Sequence, residues 1–257
     1  MPYPSQHSEP FLIHLTRPHK EATAKESMES ISLSKALLPG TRFLLDEASL
    51  SDARFAVDCS KLTREAKRRF FGFISFTETP LREVYRLCNI QDRKKRLSGY
   101  GLVFIKDWLV KLGASPAIYI NNVLGNRNEA LRSLANYLIR ENPRGAEQIL
   151  PLVAVFGKYL KPMGGRPRED SLDFTFEREW RLPYSESSVL FWEKTNIFVG
   201  LCPDKEIKEF EKLLPSVPFI DPKAPSDYKP AITRRCQELN QKLSPRFPLS
   251  PRSILGK

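Results

Sequence analysis

The chain has 257 residues, 41% of them hydrophobic, which is enough to bury one large core or two small ones. A formal net charge of +11 makes an acidic partner or substrate the natural expectation, whether nucleic acid, nucleotide or acidic protein. No apolar run approaches the roughly 18 residues of a membrane span, residues 1–10 carry no secretory signal pattern, and Cys59, Cys88, Cys202 and Cys236 show no Cys-x-x-Cys spacing. A membrane partner, secretion, structural zinc and a disulfide framework are therefore disfavoured, and a reducing cytoplasm fits best.

After a flexible N-terminus over 1–10, residues 11–16 read as a short buried strand stopped by Arg17-Pro18. His14 and Thr16 share the face opposite Ile13 and Leu15. Taken alone, His14 reads as a core or edge histidine bonded to backbone. Residues 22–38 read as a helix on Met28, Ile31 and Leu38, ended by Pro39-Gly40. A short strand over 41–45 is followed by a polar loop and helix over 49–69. The basic run there (Lys61, Arg64, Lys67, Arg68 and Arg69) is either a solvated helix face or a set of phosphate contacts.

Residues 70–77 make the richest strand candidate. Thr79 is the expected N-cap of a helix that Pro80 opens, with Leu81, Val84, Tyr85 and Cys88 on one stripe. Ser98-Gly99-Tyr100-Gly101 is a tight turn into a strand over 102–105. No Lys-Ser/Thr follows it, so it is not a phosphate loop. A short helix over 107–112 ends at Gly113 and precedes a strand over 116–120. Leu131, Leu134, Ala135 and Leu138 mark a helix over 129–140, and a second apolar segment spans 149–156. The loop 163–170, with two glycines and two arginines, is placed to order around an anionic ligand. Residues 196–201 read as the last strand and 205–214 as the last helix.

Residues 173–182, Asp-Phe-Thr-Phe-Glu-Arg-Glu-Trp-Arg-Leu, alternate polar and apolar up to Phe176, the period of a half-buried strand. In such a strand Glu177 and Glu179 point to one face, and Arg178 shares the other with Phe176 and Trp180. Two carboxylates on one face repel unless a cation or a catalytic task holds them there. Arg178 supplies a neutralising partner, as does Arg181 if it turns back past the strand end. The competing reading is an exposed charged strand face. Residues 221–257 hold six prolines, and eight Lys/Arg against three Asp/Glu leave +5. They read as a largely disordered basic tail carrying a short helix near 232–243, a weak and salt-dependent ligand for nucleic acid. The fold class expected is α+β, a bent or split, mostly antiparallel sheet flanked by helices, in a single domain over 11–220.

Several pieces in this order carry a resemblance: His14-Leu15-Thr16, Ser75-Phe76-Thr77-Glu78-Thr79-Pro80-Leu81, Tyr100-Gly101, Pro116-Ala117-Ile118-Tyr119, Lys161-Pro162 and Glu177-Arg178-Glu179-Trp180-Arg181. Over roughly residues 11–200 the chain resembles the AbiGi family of abortive-infection (phage-resistance) proteins, described as the antitoxin half of a two-gene system. That resemblance implies a cognate toxin as partner.

More distantly the chain resembles ADP-ribosyltransferases, including DNA-modifying toxins whose first strand carries His-x-Thr. That likeness implies an ADP-ribosyltransferase-like fold and NAD as cofactor. In it His14, with Thr16 beside it, holds the ribose, and Tyr100 or Tyr119 stacks on the nicotinamide. Glu179 or Glu177 steadies the ribosyl cation, while Arg178 and Arg181 tune that acid or bind the pyrophosphate. Three functions follow as expectations. They are an NAD-using transferase, a non-catalytic antitoxin in which Glu177, Arg178, Glu179 and Arg181 form an ion-pair network, and nucleic-acid binding through the basic segments.

Overall fold

The computed structural model describes residues 9–18, 21–40, 63, 65, 72–89, 97–121, 127–153, 156–160, 178–183, 189–224, 227–243 and 249–255. Strand β1 (Phe11–Leu15) is the expected apolar run. Helix α1 (Ala24–Ser34) starts at a reciprocal cap: the Thr23 hydroxyl accepts from the Glu26 amide, and the Glu26 carboxylate accepts from the Thr23 amide. It ends where Lys35 takes a left-handed φ of 49°, and its buried stripe is Ala24, Met28 and Ser32, one residue per turn. Strand β2 (Ala36–Leu37) and strand β3 (Phe73–Thr77) follow.

A 3-10 turn over Leu81–Glu83 then leads into α2 (Val84–Cys88). Thr79 is not the cap expected of it. Pro80 holds that position for the 3-10 turn and Glu83 for α2, and the Thr79 hydroxyl is engaged with that of Thr77 at 2.7 Å. Beyond it come β4 (Gly101–Ile105), α3 (Lys106–Lys111), β5 (Ser115–Pro116) and β6 (Ile118–Asn121). Two helices, α4 (Arg127–Glu141) and α5 (Pro143–Val153), precede β7 (Phe156–Leu160), which pairs in parallel with β6. Then come β8 (Glu179–Pro183), β9 (Leu190–Phe191), β10 (Ile197–Leu201), α6 (Ile207–Leu213), β11 (Phe219–Ile220), α7 (Tyr228–Leu243) and α8 (Pro251–Leu255). The strand expected over 41–45, all five basic residues of the run Lys61, Arg64, Lys67, Arg68 and Arg69, and the loop 163–170 lie outside the described residues.

The result is α+β with a mostly antiparallel sheet and helices. Where one domain was expected over 11–220, the chain divides into two compact units. The first comprises Met1–Ala36, Phe76–Leu112 and Phe191–Lys257, and the second Leu37–Ser75 and Gly113–Leu190.

In the first unit the strand order is β11-β10-β4-β1-β3. Each neighbouring pair is antiparallel except β10 with β11. The register sets Ile13 opposite Val103 and His14 opposite Leu102, so two sets of side chains face opposite ways. Phe11, Ile13 and Val103 join Val199, Leu201, Leu81 and Val84 in one core. A register shift in β10 between Ile197 and Val199 brings Phe198 into that core as well, stacked on Phe11 at 4.1 Å. On the other face, Phe104 meets the edges of Phe76 and Trp192 at 5.7 and 6.3 Å.

Residues 221–257 correct the expectation of a disordered tail. Helix α7 buries Tyr228, Ile232, Cys236 and Leu239 in the same core, and Ile254 of α8 joins them. Arg235 on α7 is 2% exposed. Its guanidinium donates to the carbonyls of Lys194, Ile197, Phe198 and Ser216 and to the Glu238 carboxylate. Five acceptors offset the cost of burying that charge. Two buried thiols of this unit are pushed up from 9.0, Cys202 to about 12 by burial and then by Glu206 and Asp221, and Cys236 to about 11 by burial.

An acid whose folded pKa is raised contributes stability that is complete below its unfolded value. That contribution is lost as pH rises through the folded value. Melting temperature is therefore expected to fall between about pH 9 and about pH 12. A Cys202→Ala variant, melted across the same range, should show a shallower fall.

Candidate functional site

Glu179, the acid that the strand pattern singles out, begins β8 in the second unit. There the start of β3, then β8, then β5 lie side by side, with Ser115 of β5 opposite Arg181 of β8. Arg178, just before β8, has a left-handed φ of 45°. An extended strand therefore does not run through Arg178, and the alternation of faces expected across it breaks there. Glu177 lies outside the described residues, so the proposed pair of carboxylates reduces to Glu179 among those described.

Arg181 does not turn back past a strand end. The strand runs on to Pro183, and two residues along a strand share a face. Arg181 Nε donates to Glu179 Oε1 at 2.8 Å and Nη2 donates to Oε2 at 3.1 Å, a two-pronged fork. The guanidinium lies over the ring of Phe73 at 4.1 Å, and Arg181 is 1% exposed. Ser75 Oγ, from β3, donates to Glu179 Oε1 at 3.0 Å. The Glu179 side chain nevertheless keeps 13% of its surface exposed. The site is an ionic carboxylate whose plane is set by three donors from two strands and whose neutralising arginine is shut away from water.

Sequence reasoning gave Ser75 and Phe73 no role. Alternation along β3 does place them both on the face opposite Phe76. Nothing local shows that β3 lies against β8.

His14, Thr16 and Tyr100 belong to the first unit, while Arg178, Glu179, Arg181 and Tyr119 belong to the second. His14 is partly buried on β1, its ring edge-on to Phe76 at 5.8 Å. Thr16 is buried, and its hydroxyl is 3.0 Å from the Ala24 carbonyl and 3.2 Å from that of Tyr100. Its backbone joins the same knot: the Thr16 amide donates to the Tyr100 carbonyl, and Ser98 donates twice to the Thr16 carbonyl. Thr16 thus ties the end of β1 to the start of α1 and the turn before β4, a structural use of the hydroxyl.

Tyr100 is also committed. Its hydroxyl donates to Glu206 at 2.9 Å and its ring packs on Phe210 at 5.9 Å. Burial, then the Glu206 carboxylate, pushes its phenol well above the usual tyrosine range. Both the hydroxyl and one side of the ring are therefore held within the first unit. Tyr119 sits on β6, and its side chain lies outside the description.

Among the described residues no group of His, Cys, Asp and Glu is arranged to hold a metal ion, and no helix is long and apolar enough to cross a membrane. Of the basic residues counted toward a nucleic-acid arm, Arg235 is buried and spent on carbonyls, while Lys229, Arg234, Lys242 and Arg252 are exposed. Comparison of the chain with family models, with curated proteins and with solved structures finds no match.

Proposed function

We propose that the chain is a phage-defence protein of the abortive-infection type that binds NAD as substrate, with Glu179 as the carboxylate facing the ribosyl carbon. The observation that carries this reading is the preset carboxylate: three donors hold Glu179 in one orientation while part of its side chain stays at the surface. A buried arginine–glutamate pair is a costly way to build a core, since well-packed apolar residues stabilise as much or more. What such a pair supplies is direction, and a fixed anion beside a developing cation lowers a barrier without reorganising. In the step, the bond from ribose C1′ to nicotinamide breaks and its electron pair leaves on neutral nicotinamide. An acceptor oxygen or nitrogen bonds to C1′ and gives its proton to solvent. A reducing cytoplasm suits such a reaction and cysteines held as thiols rather than disulfides, such as Cys202 and Cys236.

The test is thermal stabilisation by millimolar NAD, comparing wild type with Glu179→Gln. A ligand at about 100 times its dissociation constant stabilises by about 2.7 kcal/mol, a shift of a few degrees. The wild type should show that shift and Glu179→Gln should lose most of it. A wild type that does not respond overturns the reading.

One observation favours a second function, a non-catalytic antitoxin that neutralises a partner toxin. Arg181 engages both oxygens of Glu179, so the anion already has its countercharge. That reading expects no response to NAD. It also expects defence to survive when Glu179 and Arg181 are replaced together by leucine and methionine.

A further inference from the structure

The NAD reading assigns Arg181 one of two tasks, binding the pyrophosphate or tuning the acid, and the geometry bears on which. At 1% exposure Arg181 has no surface to offer a dinucleotide, and two of its donors are already on Glu179. Its guanidinium carbon lies 4.1 Å from the centre of the Phe73 ring, and Phe73 is itself buried.

We infer that Arg181, seated on the Phe73 ring, is a positioning residue that fixes the plane of the Glu179 carboxylate for the reaction. The inference rests on the proposed NAD chemistry. A guanidinium fork bonds both carboxylate oxygens at once, so the carboxylate cannot turn about its terminal torsion without breaking one of the two bonds. The Phe73 ring, packed against the guanidinium, limits how far it can move. Ser75 adds a donor to Oε1 from the neighbouring strand, which secures the same orientation from a second side. Orientation set before substrate arrives removes an entropic part of the barrier that would otherwise be met at each turnover. A lysine at 181 keeps the charge but bonds as a point, so one oxygen is left loose.

The experiment is nicotinamide release from NAD by wild type, Arg181→Lys and Phe73→Leu, with melting curves to confirm that each variant is folded. For Arg181→Lys, kcat should fall by about 10- to 100-fold, with KM for NAD within about twofold of wild type. For Phe73→Leu, kcat should fall severalfold, again with little change in KM. A structural role alone predicts lower melting temperatures with kcat of the folded fraction unchanged, which would overturn the inference. So would a rise in KM at constant kcat, the mark of direct substrate binding by Arg181. If Arg181→Lys does not fold, Phe73→Leu decides by the same criteria. A wild type without turnover removes the proposed reaction and this inference together. An active wild type with a fully active Arg181→Lys removes the inference alone.

Discussion

Arg235→Ala is expected to cost the fold about 3–5 kcal/mol, the range for breaking a buried charged contact by removing one partner. The side chain closes a gap between three pieces of chain. Its donors satisfy carbonyls in the turn before β10, at the start of β10 and at Ser216, and it also meets Glu238 one turn along α7. Deleting it orphans carbonyls at a buried strand end, and those unmade hydrogen bonds are the main part of that cost. Arg235→Lys should recover little, because one ammonium cannot reach acceptors spread around a planar fork. Urea unfolding followed by tryptophan fluorescence will read the change, since Trp192 is buried in the same unit. A loss below about 1 kcal/mol would mean that water replaces the guanidinium without penalty.

The second large effect is expected at Glu179. Glu179→Ala leaves Arg181 charged at 1% exposure without its carboxylate, again a loss of about 3–5 kcal/mol. Glu179→Gln keeps an oxygen acceptor for Ser75 and for one arm of the arginine, so it should cost less, and for that reason it is the variant suited to the NAD experiment. Replacing both partners, Glu179→Leu with Arg181→Met, should bring stability back to within about 1–2 kcal/mol of wild type. That contrast separates two meanings of the pair. If the double variant is stable but fails to release nicotinamide, the ions serve chemistry. If the single and double variants are equally unstable, the pair holds the strands together and its orientation is incidental. Equilibrium unfolding of the three variants, set beside nicotinamide release, makes the distinction.

Much of the first unit is legible along the chain. The apolar runs of β1, β4 and β10 mark buried strands, and the Thr23/Glu26 pair marks the start of α1. The tail misleads because composition was averaged across it. Among the described residues its prolines sit where helices tolerate them: Pro222 before α7, Pro230 in its first turn, and Pro251 as the first residue of α8. Between them Tyr228, Ile232, Cys236 and Leu239 recur at helical spacing. The candidate site is half legible. That Glu179 and Arg181 share a face follows from their spacing, once the strand is allowed to continue through Arg181. The roles of Ser75 and Phe73 depend on which strand lies beside β8, a pairing between residues about a hundred positions apart. Tyr100 and Thr16 carry no local sign that their hydroxyls are spent on Glu206 and Ala24.

The division of the chain into interleaved stretches has a consequence for how the protein is made. The first unit draws on three separate stretches and the second on two, so no single cut releases either as an uninterrupted fragment. On the ribosome, β1 and β4 appear early but stay half-covered until β10 and α7 arrive from the last stretch. Such long-range closure folds slowly, and a nascent chain stalled before Tyr228 exposes the apolar sheet that α7 would cover. Holding by chaperones, rather than folding domain by domain during synthesis, is the expected route to the native state.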